Sequence, residues 1–290
     1  MKVIDAYADA RAAGRPLIAC DFSPPRSADL SFADDAATLK ADFICVAYNP
    51  GRAVRLGSST AAAIIQRQTG TQTIFNLATR DMNKLAVQTH LLSARALGLE
   101  NVLVLRGDAF PERDLRLVKP VDDYSPTDLL AAIKQMNAGI DFRGARLHAP
   151  TSLSAGAAMD LGRPLAEEAA LAARKVEAGA DFLMTQALFS GATVTEFRSL
   201  YQQAAGHPLD VPVLYGVAIM VKDGVLFADM PERYRTDLAS GRLGTDIALE
   251  VVQELRQAGC DAFYLVPPIM RGGARDYAAA QAVIAATRKA

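Results

Sequence analysis

Eight short apolar runs separated by helix-forming stretches predict an α/β chain of the (β/α)8 TIM-type barrel class. The runs are apolar almost throughout, as strands covered on both faces of a parallel sheet are, and do not alternate like strands with one wet face. The stretches between them carry apolar residues three to four positions apart, several opened by serine or proline and closed by glycine. A doubly wound sheet is set aside because no Gly-x-Gly-x-x-Gly turn follows the first run. The 290 residues suit one barrel of about 250 residues with insertions, so 1–290 is read as a single catalytic domain.

In chain order the expected strands are PLIACDF (16–22), ADFICVAY (41–48), QTIFNLA (72–78), NVLVLRG (101–107), SLSAGAAM (152–159), ADFLMTQ (180–186), VPVLYGV (211–217) and CDAFYLV (260–266). The clearest helix is Asn83 to Leu97, stopped by Gly98. Ser125 is placed to cap a second helix, with Pro126 at its first position and Asp128 three residues after the cap. Pro164 opens a third that ends before Gly179, and further helices are expected at 192–204, 244–258 and 273–288. Two connections, 109–125 and 218–243, are too long for plain strand-to-helix turns. Both follow strands, so both belong on the face where barrel enzymes keep their sites.

Composition narrows the function classes. Half of the chain is hydrophobic (51%), the net charge is −1, and no basic stripe exists to track a phosphate backbone, so nucleic acid is not an expected partner. The opening MKVIDAYADARAAGR has no apolar stretch of a signal peptide, and no window has the apolar length of a membrane span. A cytoplasmic protein without membrane contact is expected, and with the last helix at 273–288 no further domain is expected after it. Cys20, Cys45 and Cys260 fall at unrelated spacings in or beside apolar runs, which suits buried thiols, and no metal-ligand spacing appears.

The strand ends supply the candidate site. Asp21 closes an apolar run and is followed by Phe22 and two prolines, Pro24 and Pro25, that fix the exit of the chain. A carboxyl held among apolar neighbours resists ionisation and can act as a general acid near neutral pH. Arg106, Gly107 and Asp108 stand together at another strand end, where the glycine lets a ligand approach the backbone. Gln186 can offer paired donor and acceptor groups to a flat heterocycle. Arg174 and Lys175 lie near a helix end, where the helix dipole alone favours cations, so a phosphate-binding role stands beside that plain one. Tyr48, Asn76, Ala78, Met159, the 218–230 loop with Phe227, and Pro267 to Arg271 complete the rim. His90, His148 and His207 lie away from it, which sets aside a His-centred acyl transfer.

FNLATRDMNKLAVQTHLLSARALGLENVLVLRGD (75–108) resembles the corresponding stretch of methylenetetrahydrofolate reductases, with an aromatic-lined strand, an Arg-Asp-x-Asn helix start and a Gly-Asp strand end in that order. The similarity extends to DFSPPR (21–26), GARLHAPTSLSAGAAMD (144–160) and ARKVEAGADFLMTQALF (173–189), and so spans about residues 16–270. The resemblance implies a barrel holding FAD along its C-terminal face, reduced by NADH or NADPH, with a methylenetetrahydrofolate substrate taking hydride to become methyltetrahydrofolate. It implies Asp21 in place of a glutamate linked to proton delivery, and Asp108 as the acid near the flavin and the pterin. Gln186, Phe227 and Arg271 would contact substrate. Tyr48, Asn76, Ala78, Arg106, Gly107 and Met159 would lie along the flavin, and Arg174 with Lys175 near its diphosphate.

The chain departs from that pattern at several positions. Asp21 is one methylene shorter than glutamate. Ala47 stands where threonine is usual, Asn76 and Ala78 where histidine and threonine are common, and Met159 where a tyrosine can cover the flavin. Two alternatives therefore accompany the flavin enzyme. One is a flavin-free reductase in which nicotinamide passes hydride straight to folate, and the other is a non-redox folate-binding barrel of the methyltransferase type. Self-association into a homo-oligomer is compatible with either.

Overall fold

The computed structural model describes residues 1–225 and 229–289. Its strands are β1 (Leu17–Phe22), β2 (Phe43–Val46), β3 (Gln72–Ala78), β4 (Asn101–Leu105), β5 (Ser154–Met159), β6 (Phe182–Ala187), β7 (Val213–Ala218) and β8 (Ala262–Val266). All pair in parallel in the order of the chain, and β1 closes on β8 with Ala19 opposite Tyr264. Each expected run coincides with a strand to within two residues at either end. Around them run α1 (Val3–Ala12), α2 (Phe32–Thr38), α3 (Ser58–Thr69), α4 (Lys84–Ala96), α5 (Pro126–Asn137), α6 (Leu165–Glu177), α7 (Gly191–Ala205), α8 (Glu232–Ala239), α9 (Gly244–Gln257) and α10 (Tyr277–Lys289). Among the described residues no helix is long and apolar enough to cross a membrane.

Alternate residues of each strand face opposite ways, and the apolar interior divides accordingly. Ile18, Cys20 and Phe22 face the helices and join the large core between sheet and helices. Leu17 and Ala19 face the barrel axis with Phe43, Cys45, Ile74, Leu103, Phe182, Met184 and Leu214. Interior volume is shared unequally between neighbours. Strand β5 gives only Ser154, Gly156 and Ala158 to the axis, and a Cβ on Gly156 would lie 2.2 Å from the Phe182 ring of β6. The missing side chain of one strand is the space occupied by its neighbour.

The N-terminal end of the barrel is sealed by α1, whose Val3, Ala6 and Ala10 pack against the axial cluster. Asn101, buried at the start of β4, fastens it. Its Oδ1 accepts the Val3 N–H at 2.9 Å, while its Nδ2 donates to the carbonyls of Met1 at 3.0 Å and Thr73 at 3.2 Å. Tyr7 adds a 2.8 Å hydrogen bond to Asp261 before β8.

Local signals explain most helix boundaries. The Asn83 side chain accepts the Ala86 N–H at 2.9 Å and starts α4. Ser125 and Asp128 form the reciprocal capping box expected for α5, with Pro126 at its first position. Two expectations need correction. The stretch 218–243 is no plain loop, since its second half forms α8, with Tyr234 and Leu238 buried. The last helix begins at Tyr277 rather than 273, because Gly272 and Gly273 take left-handed backbone (φ +93° and +89°) in a tight reversal that pairs Ile269 with Arg275. Asp276 then accepts the Ala279 N–H at 3.0 Å and starts α10.

Asn101→Ala strips the partner from a buried N–H and shortens the anchor of α1. A loss of about 2–3 kcal/mol is expected, read as a shift of the denaturant midpoint with unchanged slope.

Candidate functional site

The C-terminal strand ends surround a cleft of about 470 Å³. Tyr48, Asn76, Arg106, Gly107, Asp108, Met159 and Gln186 line it, so seven sequence-predicted residues from five strands or the turns after them come together. Gln186 reaches the cleft through an irregularity in β6, where the register with β7 shifts between Met184 and Ala187. Such a bulge re-aims a side chain. It needs Gly216 on β7, because a Cβ there would lie 2.4 Å from the Gln186 carbonyl oxygen. Thr185 steadies the bulge by accepting the Gly216 N–H and donating to the Gln186 carbonyl, both at 2.8 Å.

Asp21 is 4% exposed and does not itself line the cleft. Tyr264 of β8 does, and its hydroxyl donates to Asp21 Oδ1 at 2.8 Å. On the far side Arg275 Nη2 stands 3.2 Å from Oδ2, in an ion pair that leaves Oδ2 without a hydrogen bond. Burial raises the Asp21 pKa, and the Arg275 charge and the Tyr264 and Arg275 contacts only partly counter it. Burial therefore moves Asp21 in the direction its apolar strand suggests, and the phenol in front of it was not foreseen.

Other expected residues lie elsewhere. Ala78 is fully buried beneath Gly107, where a Cβ on that glycine would meet its own at 3.2 Å. Lys175 is buried behind β5, donates to the Ala158 carbonyl at 2.6 Å and lies 3.9 Å from Glu168, so its ammonium points into the protein. Burial lowers its pKa, against the pull of Glu168. Arg174 is exposed on α6 and does not line the cleft. Arg271 is exposed too, holding the Asp223 carbonyl at 3.3 Å across two adjacent loops outside the cleft lining. Phe227 lies outside the described residues.

The cleft also contains residues the sequence did not single out. Arg80 is buried at its edge and grips Asp81 with two hydrogen bonds of 2.6 and 2.8 Å. Its remaining nitrogen donates to the Asp108 carbonyl, and its guanidinium lies 3.9 Å from the centre of the Phe110 ring. Its backbone accepts the Val121 N–H at 2.7 Å and donates to the Arg106 carbonyl at 3.1 Å. One residue therefore fastens the long 109–125 connection at both ends. Asp81 also acts on Tyr48, whose pKa is pushed up to about 12 by burial first and then by the charge and hydrogen bond of Asp81. Arg52 and Arg163 add cations to the lining. Each cleft arginine already has an acid nearby: Arg52 and Asp108 at 3.8 Å, Arg106 and Asp122 at 3.8 Å, Arg163 and Glu168 at 3.7 Å. The only signal for Arg80 was its place in the Arg-Asp-x-Asn helix start.

Chemically the cleft offers amide and phenol groups for a flat polar heterocycle, rim cations for an anionic tail, and a buried acid behind one phenol. The family model described as methylenetetrahydrofolate reductase matches residues 6–223. A solved structure titled "Uncharacterized protein from Clostridium thermocellum binds two copies of 5-methyl-5,6,7,8-tetrahydrofolic acid" shares the fold, with a TM-score of 0.68, 12% sequence identity, and coverage of 99% of this chain and 98% of that one.

Arg80→Met keeps the bulk but removes the charge contacts to Asp81, Asp108 and Phe110. Loss of about 2 kcal/mol of local anchoring, roughly 30-fold in the opening equilibrium, is expected to expose 109–125 to limited proteolysis. An unchanged cleavage rate there would show that other contacts hold the segment.

Proposed function

Since the chain belongs to the methylenetetrahydrofolate reductase family, we propose that it reduces 5,10-methylenetetrahydrofolate to 5-methyltetrahydrofolate with NADH or NADPH as hydride source. The whole of 1–290 serves as one catalytic barrel in this reading. The observation that carries it is the buried carboxyl of Asp21, joined by a hydrogen bond to a phenol in the cleft. Opening the five-membered ring of the substrate needs a proton at the folate nitrogen that leaves the methylene carbon, and an acid whose pKa burial raises suits that step. Gln186, re-aimed by the β6 bulge, can pair with the pterin edge, and Asp108 at the rim can accept from it.

A flavin is the finer part of the reading. Tyr48, Asn76, Gly107 and Met159 are suited to flank its flat ring, and the exposed guanidiniums of Arg106 and Arg163 are better placed for the diphosphate than Arg174 or Lys175. When bound, FAD would carry hydride between nicotinamide and folate. The acid partners already beside Arg52, Arg106 and Arg163 favour the second reading, a flavin-free enzyme in which both substrates share the cleft. Buried, free Cys20, Cys45 and Cys260 suit a reducing, cytoplasmic setting.

The absorption spectrum of the purified protein separates the two: flavin absorbs near ~450 nm, and a colourless protein that still oxidises NADH with methylenetetrahydrofolate is the flavin-free enzyme. No oxidation of NADH or NADPH with methylenetetrahydrofolate overturns the reductase reading.

Asp21→Asn is expected to keep binding of the dinucleotide and to lower folate reduction by roughly 100-fold. Because the folded pKa of Asp21 is raised, its protonated form persists above the usual carboxylate range and is lost as pH rises through that value. Wild-type folate reduction should fall along that alkaline limb, and the limb should be missing in Asp21→Asn.

A further inference from the structure

We infer that the hydroxyl of Tyr264, rather than Asp21 itself, touches the folate and hands over the proton, with Asp21 as its source and Arg275 as the residue that positions Asp21. The inference rests on the reductase reading above and names a catalytic residue within it.

Three observations carry it. The substrate cleft is lined by Tyr264 and not by Asp21, which is 4% exposed. The two are joined at 2.8 Å, close enough for a proton to pass without movement of the backbone. Asp21 then has a second side. Arg275, 3.2 Å from Oδ2, lines a separate open cleft of about 670 Å³ with Ser23, Arg55 and Tyr277. The acid is thus one side chain away from substrate on one side and one side chain away from solvent on the other. A glutamate at position 21 would reach further unaided; with aspartate, the phenol of Tyr264 spans the remaining distance.

The Tyr264 O–H gives its proton to the ring nitrogen of methylenetetrahydrofolate, while the Asp21 carboxyl gives its proton to the Tyr264 oxygen. The bond from the methylene carbon to that nitrogen breaks, its electron pair staying on nitrogen, and the resulting iminium takes hydride from the reduced dinucleotide. Tyr264 ends neutral, and Asp21 ends as a carboxylate beside Arg275, to be reprotonated from water. The hydrogen bond present here, with Tyr264 donating to Asp21, is the arrangement of the spent acid. The other titratable groups facing this pair are the thiols of Cys20 and Cys45, both held protonated by burial, and the phenol of Tyr277 on α10, raised likewise.

The test compares Tyr264→Phe, Asp21→Asn and the combined variant in steady-state assays with methylenetetrahydrofolate, and in equilibrium binding of 5-methyltetrahydrofolate across pH. Tyr264→Phe should lower kcat roughly 100-fold with KM within about threefold, and should lose the alkaline limb as Asp21→Asn does. The combined variant should be no slower than the slower single variant by more than about threefold, because one relay is broken once. Wild-type affinity for 5-methyltetrahydrofolate should change with pH, and both single variants should flatten that change. A Tyr264→Phe enzyme within threefold of wild type, additive losses, or Tyr264→Phe binding that keeps the wild-type pH dependence would each overturn the relay. Absence of both NADH and NADPH oxidation by the wild type would instead remove the reductase reading, and the binding comparison would still decide whether Tyr264 couples Asp21 to the cleft.

Discussion

Hydrogen bonding between β1 and β8 closes the sheet, and that closure sets what the other residues can do. Residues 21 and 264, 243 positions apart in the chain, become neighbours only because the first and last strands pair. All eight strands point the same way, so their ends gather at one rim, while α1 occupies the other end. Toward that rim the sequence places Asp21, Asn76, Gln186 and Tyr264, in the middle or C-terminal part of their strands, while Asn101 serves α1 at the other end. Below them the axis is filled by apolar side chains, which keeps water away from the lower side of the acid.

That filling has an electrostatic cost, and the neighbours of Asp21 offset part of it. An isolated carboxylate at this depth would lose most of its hydration. Arg275 and Tyr264 restore some favourable interaction, yet burial outweighs them and the pKa stays raised. The rim behaves differently. Arg106 is mostly exposed, so its pair with Asp122 is screened by solvent and contributes little to stability, whereas Arg163 reaches down to the buried Glu168. The interior pair is buried on both sides, while Arg106 and Arg163 each keep most of their side chain in solvent.

Much of the fold was readable from the chain because strands buried on both faces announce themselves as unbroken apolar runs, and because Asn83, Ser125 and Pro126 mark helix starts by local chemistry. Helices α1, α2 and α3 were passed over. They are rich in alanine or small polar residues, and their packing surfaces are too narrow to give a strong periodic signal. The rim positions Tyr48, Asn76, Arg106, Gly107, Asp108, Met159 and Gln186 followed from strand ends alone. Lys175 was misjudged because helix position does not reveal that the side chain turns back to the Ala158 carbonyl. Tyr264 and Arg275 were missed for a different reason: their partner is Asp21, at the other end of the sequence, and only barrel closure makes the three a unit.

The exchange of volume between β5 and β6 reaches beyond this one chain. Since the ring of Phe182 occupies the space a side chain at 156 would need, a change at either position alters what the other can accommodate. Drift at 156 toward any larger residue is blocked until 182 has become smaller, and the reverse order leaves a hole at the axis for the intervening generations. The two sites should therefore change as a couple across descendants of this barrel. A library that varies 156 over a fixed Phe182 would lose most members to that clash, whereas one that varies 182 over a fixed Gly156 would carry axial cavities instead.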